Sequence, residues 1–330
     1  MTTVQTTAHT KRAKAAKSTK AAKSTKAAKS AKAAKGKRTT LRHAVRTALV
    51  GGTAARFGYT LLNRFTPGEA ALWERRNHRG EVVTLLEGPA AALGSAVAAA
   101  TAPGVPARHR AAAAFATAAA AGFGTYDDML GATDKRGFKG HLGALAKGEL
   151  TSGTVKVLGI GATGLIAGAM VQSKPVDKIL AGIVVAGSAN VVNLFDLRPG
   201  RAAKVTVLAG ALPVLRGNRL AAAPVGAAAA LLPEDLDEKA MLGDAGANAL
   251  GAALGVAAAA GASRTGLVLR AAVLTGLTLA SERVSFTKVI ARTPALDRID
   301  MLGRRPVAPP RPPADDAAPA ASADAAATAP

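Results

Sequence analysis

Between residues 45 and 281 the chain alternates apolar segments, built largely of alanine and glycine, with short polar loops. Nine such segments stand out, near 45–62, 88–103, 109–124, 154–172, 178–194, 202–216, 219–232, 245–262 and 266–281. Segments 154–172 and 245–262 offer water no charged face, apart from Lys156 near one end. A soluble alanine-rich helical protein would need such a face. The pattern therefore predicts an all-α fold, a polytopic membrane bundle of nine transmembrane helices. Several segments fall short of the roughly 20 residues that cross a bilayer comfortably. Stretches such as GIGATGLIAGA offset weak insertion by letting helices approach closely through small-xxx-small contacts.

Composition supports the same class. Of 330 residues 49% are hydrophobic, yet only 3% are aromatic and 19% charged, too little of either for an ordinary soluble core and surface. Cysteine is absent, which excludes disulfides and thiolate metal sites. The net charge of +22 is concentrated at one end: residues 1–46 hold 14 of the 43 Lys and Arg and no acidic residue. Their lysines repeat every third residue, a period that defines no fixed helical face, so 1–44 reads as a disordered basic tail. Such a tail attracts anionic polymers or lipid headgroups, or serves as a plain solvated tether. Residues 45–302 form the predicted membrane domain, and the Pro/Ala-rich 303–330 reads as a second disordered tail.

If the segments simply alternate across the bilayer, loops 63–87, 125–153, 195–201, 233–244 and the stretch after 281 share one side. That side carries most of the loop Lys and Arg, so it is expected to be cytoplasmic. Nine spans would place the basic tail on the other side, against the same rule. The same-side loops share a chemistry. One follows an alanine helix and opens with Asp127 and Asp128, one carries Asn190, Asn193 and Asp196, and one sets Asp244 between glycines before a further apolar run. A carboxylate at the bilayer centre costs on the order of 3 kcal/mol, so acids near a membrane boundary call for a functional account. Each taken singly is also explained as a helix-end charge. Oxygen ligands from several loops suit Mg²⁺, and the neighbouring cations suit phosphate.

The motifs TYDDMLG, NVVNLFD and MLGDAGANALG, in that order, resemble those of the polyprenyl-phosphate N-acetylhexosamine-1-phosphate transferases. KRGFKGHLGALAKGELTSGTVK and NHRGEVVTLLEGP are similar to a Gram-positive subgroup of that family, and the likeness covers roughly residues 45–300. The resemblance implies Mg²⁺-dependent transfer of a sugar-1-phosphate from a UDP-sugar to polyprenyl (undecaprenyl) phosphate, at the cytoplasmic face of the plasma membrane. It implies catalytic roles for Asp127, Asp128, Asp196 and Asp244, with Asp244 and Asp128 at the metal. Asn190 and Asn193 would contact the nucleotide and phosphate assembly, and Lys139 and Lys135 would contact phosphate. A homodimer is a further partner open to such a chain.

Two departures from the family pattern stand out. Asp196 is followed by Leu197, Arg198, Pro199 and Gly200, so a usual second aspartate is missing; Arg198 either holds a phosphate in its place or serves as a positive-inside anchor. SERVSFTKVIAR stands where a histidine cluster is expected, leaving His141 as a substrate contact or an ordinary loop histidine. These departures keep open a non-catalytic protein that binds prenyl phosphate or anchors a complex.

Overall fold

A computed structural model describes residues 36, 38–77, 79–130 and 151–306. Every apolar segment forms a helix: α1 (38–64), α2 (Glu87–Ala100), α3 (Ala107–Leu130), α4 (Ser152–Val171), α5 (Pro175–Leu194), α6 (Arg201–Leu215), α7 (Arg219–Leu236), α8 (Gly243–Ala259) and α9 (Arg264–Ser281). The stretch after 281 adds two short helices, α10 (Phe286–Arg292) and α11 (Pro294–Met301). The loop 63–87 folds into an antiparallel hairpin of β1 (Glu74–Arg76) and β2 (Val82–Thr84). The starts of the helices follow local chemistry. Thr151, Asn218 and Ser263 each accept a backbone N–H two or three residues into α4, α7 and α9, and Pro175 supplies a preset φ at the start of α5.

The packing inverts that of a soluble bundle. The interior is largely alanine and glycine with a few Leu and Val, while Leu49, Leu165, Ile179, Leu212 and Leu269 lie exposed on the outside. Glycines carry helix crossings: Gly226 of α7 abuts the Ala48 carbonyl, and Gly251 of α8 abuts the Ser188 carbonyl of α5. Helix α8, buried along nearly its whole length, is the axis around which α2, α3, α5 and α7 pack. Among the described residues two helices, α4 and α5, are both long and apolar enough to cross a membrane.

The loops sort to two ends. At one end Trp73, Leu85 and Leu86 pack against Met129 and Met241, Thr84 bridges to Ala240, and Phe195 stacks on Phe286 with centroids 5.3 Å apart. At the other, Asn218 donates to the Ala257 carbonyl, Gln172 to the Ala259 carbonyl, and Arg264 pairs with Asp177. Loops 63–87, 195–201, 233–244 and the stretch after 281, which the sequence groups together, thus meet at one end. The first turns of α1 belong to the second end, where Thr40 lies against Gly217.

α11 is fastened to α6 by a buried ionic knot. Arg201 donates to both Asp300 oxygens at 2.7 and 2.9 Å, Arg304 adds 3.1 Å, and Lys204 Nζ donates to the Asp300 carbonyl at 2.6 Å. Asp300→Ala should therefore lower the thermal unfolding midpoint in detergent by the equivalent of about 3 kcal/mol, because it leaves buried guanidinium charge uncompensated. An unchanged midpoint would show the knot to be dispensable.

Candidate functional site

The site is assembled at the end where the acidic loops meet. The last turn of α3 carries Asp127 and Asp128, and Gly124 one turn earlier lies so close to the Asp244 backbone that a Cβ there would overlap it. This contact sets α3 against the first turn of α8. From α4, whose start is fixed by the Thr151 cap, Lys156 reaches both partners: its Nζ stands 2.5 Å from Asp127 Oδ2 and 2.6 Å from Asp244 Oδ2. Two carboxylates from separate helices thus close on one cation. All three side chains are largely buried, so the pairing is stronger than a surface ion pair.

Asp128 does a different job. Its two oxygens accept the backbone N–H groups of Asp244 (3.1 Å) and Ala245 (3.0 Å), which the first turn of α8 cannot satisfy internally. Its own carbonyl accepts the Arg75 guanidinium from the hairpin. Asp196 accepts the next N–H, that of Gly243. Two of the acidic motifs therefore cap the helix that begins the third. Asp196 itself is half-buried. Burial, then the nearby charges of Asp235, Asp244 and Asp128, hold it well above the usual carboxylate range.

Gly243 is required twice. Its φ is +58°, in the left-handed region, and a Cβ would sit 3.0 Å from Asp128 Oδ2 and 2.8 Å from Leu85. Gly243→Ala should cost about 1–2 kcal/mol from the backbone alone, with a further loss from crowding Asp128. Thermal unfolding compared with Gly122→Ala, whose Cβ has nothing within 4 Å, isolates the effect. Equal stability in the two variants would remove this role.

Two cavities flank the carboxylates. One, of about 390 Å³, is lined by Lys156, Asn190, Asn193 and Asn248 at its polar end and by Gly161 and Gly187 toward the bundle. Asn190 also donates to Thr278 Oγ1 at 3.0 Å, and Asn248 to the Asp244 carbonyl at 2.7 Å. The other, of about 610 Å³, is lined by Asp196, Arg198, Arg76, Asp235 and Glu238, with Val83, Leu197 and Met241 as apolar wall.

Of the residues expected from sequence, Asp127, Asp128, Asp196 and Asp244 are brought together, Asn190 and Asn193 line the first cavity, and Arg198 lines the second. Asp127, rather than Asp128, shares a cation with Asp244. Lys135, Lys139 and His141 lie outside the described residues. Sequence reasoning missed Lys156, counted only as a charge near a span's end, and Asn248, which stands inside the quoted MLGDAGANALG. It also missed Asp235 and Glu87. The latter is fully buried at the start of α2 with neither carboxyl oxygen hydrogen-bonded, and Asp235 and Asp196 are among its acidic neighbours.

Among the described residues no group of three or more His, Asp or Glu is disposed to hold a metal ion by itself. The Asp127–Asp244 pair, already closed on a cation, is nonetheless the one-or-two-carboxylate set that Mg²⁺ uses when substrate phosphates complete its shell. No family profile and no curated protein matches this chain.

Proposed function

We propose that the chain is a membrane-embedded transferase of the cytoplasmic leaflet. It moves a sugar-1-phosphate of N-acetylhexosamine type from a UDP-sugar to polyprenyl phosphate, for cell-envelope glycan synthesis. One observation carries this reading: Asp127 and Asp244, far apart in sequence, converge on Lys156 Nζ at 2.5 and 2.6 Å, with Asp128 and Asp196 locking the helix that bears Asp244. The apolar exterior and the two-ended sorting of loops support nine helices, α1 to α9, standing across a bilayer.

In this reading an oxygen of polyprenyl phosphate attacks the β-phosphorus of the donor. The bond from that phosphorus to the bridging oxygen breaks, and UMP leaves. Asp127 and Asp244 would hold Mg²⁺, which when bound supplies positive charge to the reacting diphosphate. Lys156 adds a fixed cation beside the same oxygens, and Arg198 offers a guanidinium to donor phosphate from the second cavity. The first cavity, apolar toward the bundle and polar at Lys156, suits a prenyl chain ending in phosphate. Asp128 orients the Asp244 turn and does not need to touch substrate.

The test is UMP release from UDP-GlcNAc in membranes supplied with undecaprenyl phosphate and Mg²⁺. Wild type should turn over, and Asp244→Ala should fall to background. Equal signals, extended over a panel of UDP-sugars, would remove the enzyme reading. A second reading is favoured by Lys156 itself, which gives Asp127 and Asp244 a shared counter-charge without any metal. It is a non-catalytic protein that holds prenyl phosphate or anchors a complex, and it predicts prenyl-phosphate binding with no UMP from any donor.

A further inference from the structure

Residues 283–302 are not explained by the transferase chemistry. They form α10 and α11, and both are tied to the bundle on one side: Phe286 stacks on Phe195, next to Asp196, and Asp300 is gripped by Arg201 of α6. Away from those ties the segment exposes large apolar side chains. Leu296 and Ile299 are each 44% exposed and Leu302 71%. At 3.6 residues per turn these three fall within a sector of about 120°, beside the docked Asp300 and apart from Asp297. Exposed cations accompany them: Arg283, Lys288, Arg292 and Arg298, while Asp297 is half-buried. A soluble helix would have no use for an uncovered leucine stripe bordered by cations, whereas a helix lying in a headgroup layer uses both.

We propose that 283–302 is an interfacial platform resting on the anionic headgroup layer of the bilayer that holds the bundle. Leu296, Ile299 and Leu302 are immersed, and Lys288 and Arg292 face lipid phosphates. The inference rests on the membrane reading above but not on the transferase reading. Its consequence is positional: through Phe286–Phe195 and Asp300–Arg201 the platform ties the loop carrying Asp196 to the level of the membrane surface.

The chain has no cysteine, so single-cysteine spin labels report one position each. Full-length variants Leu296→Cys, Ile299→Cys, Leu302→Cys, Asp297→Cys and Leu165→Cys are reconstituted in nanodiscs with and without phosphatidylglycerol, and oxygen and nickel-chelate accessibilities are measured. With phosphatidylglycerol, the first three labels should lie about 5–10 Å into the headgroup–acyl boundary. The label at 297 should be water-accessible and that at 165, on the exposed face of α4, deep in the acyl region. Omitting phosphatidylglycerol, or introducing Lys288→Glu with Arg292→Glu, should make 296, 299 and 302 shallower and leave 165 unchanged. Labels at 296, 299 and 302 as nickel-accessible as 297, with 165 still immersed, would overturn the platform and spare the bundle. Labels shielded from both reagents would assign the stripe to a second copy of the chain and overturn it equally. Depths insensitive to anionic lipid would overturn the role of the cations. A water-accessible 165 would sink the bilayer reading itself.

Discussion

Lys156→Met should abolish UMP release and lower the unfolding temperature of the purified protein, and added Mg²⁺ should restore part of that temperature. Nζ of Lys156 is the single cation between Asp127 and Asp244 among the described residues, and their side chains are only 13% and 25% exposed. Methionine fills a similar volume but leaves two carboxylates facing each other without a counter-charge. Breaking a buried pair in this way costs about 3 kcal/mol. A divalent ion that binds the folded state alone recovers stability in proportion to the logarithm of its concentration over its Kd. The variant should therefore gain more from Mg²⁺ than wild type does, since wild type has its cation built in. Destabilisation without any Mg²⁺ response would show that the carboxylate pair is not a divalent-ion site. Unchanged turnover would show that Lys156 has no part in the reaction.

Gly124→Val should be the most damaging apolar substitution near the site. Helix α3 meets α8 where Gly124 faces the carbonyl carbon of Asp244 at 2.5 Å from an ideal Cβ, and backbone cannot rotate away as a side chain can. Overpacking of this kind costs about 1–3 kcal/mol. The geometric effect is larger. To admit the side chain α3 must back away from α8, which separates Asp127 from Asp244 and pulls Asp128 off the N–H groups of Asp244 and Ala245. A displacement of about 1 Å lowers turnover on the order of a hundredfold. Gly122→Val, on the same helix with open space at its Cβ, is the control and should keep near-normal UMP release. Equal activity in the two variants would mean that the α3–α8 contact does not set the site.

Sequence reasoning reached the helices through hydropathy and the acidic cluster through three motifs. The apolar segments and α1–α9 agree to within a few residues at most ends, because a run of Ala, Gly, Val and Leu between polar loops leaves few alternatives. The start of α1 is the largest difference: helix begins by residue 38, not near 45, since the polar RTTLRHAVR stretch continues the turn without an apolar signal. The hairpin was not legible. Its strands are three residues each, too short to display alternation, and they are held by the loop before α8, with the Thr84 N–H donating to the Lys239 carbonyl. α10 and α11 are legible in the sequence only as a loop after 281, because their helical character depends on docking through Phe286 and Asp300. Lys156 was visible as a residue but not as a partner, for its place between two acids is decided by how α3, α4 and α8 cross. The division of labour between Asp127 and Asp128 was equally out of reach. Neighbours in sequence, they point along different directions at a helix end, one to an ammonium and one to backbone N–H groups.

Thr40 rests against Gly217, at the pole of the bundle opposite the carboxylates. Helix α1 therefore runs the height of the bundle, from that pole to Tyr59 and Leu62 beside Trp73. In the bilayer placement proposed above the two poles open into different compartments, so a label at Thr40 would report the side away from the carboxylates.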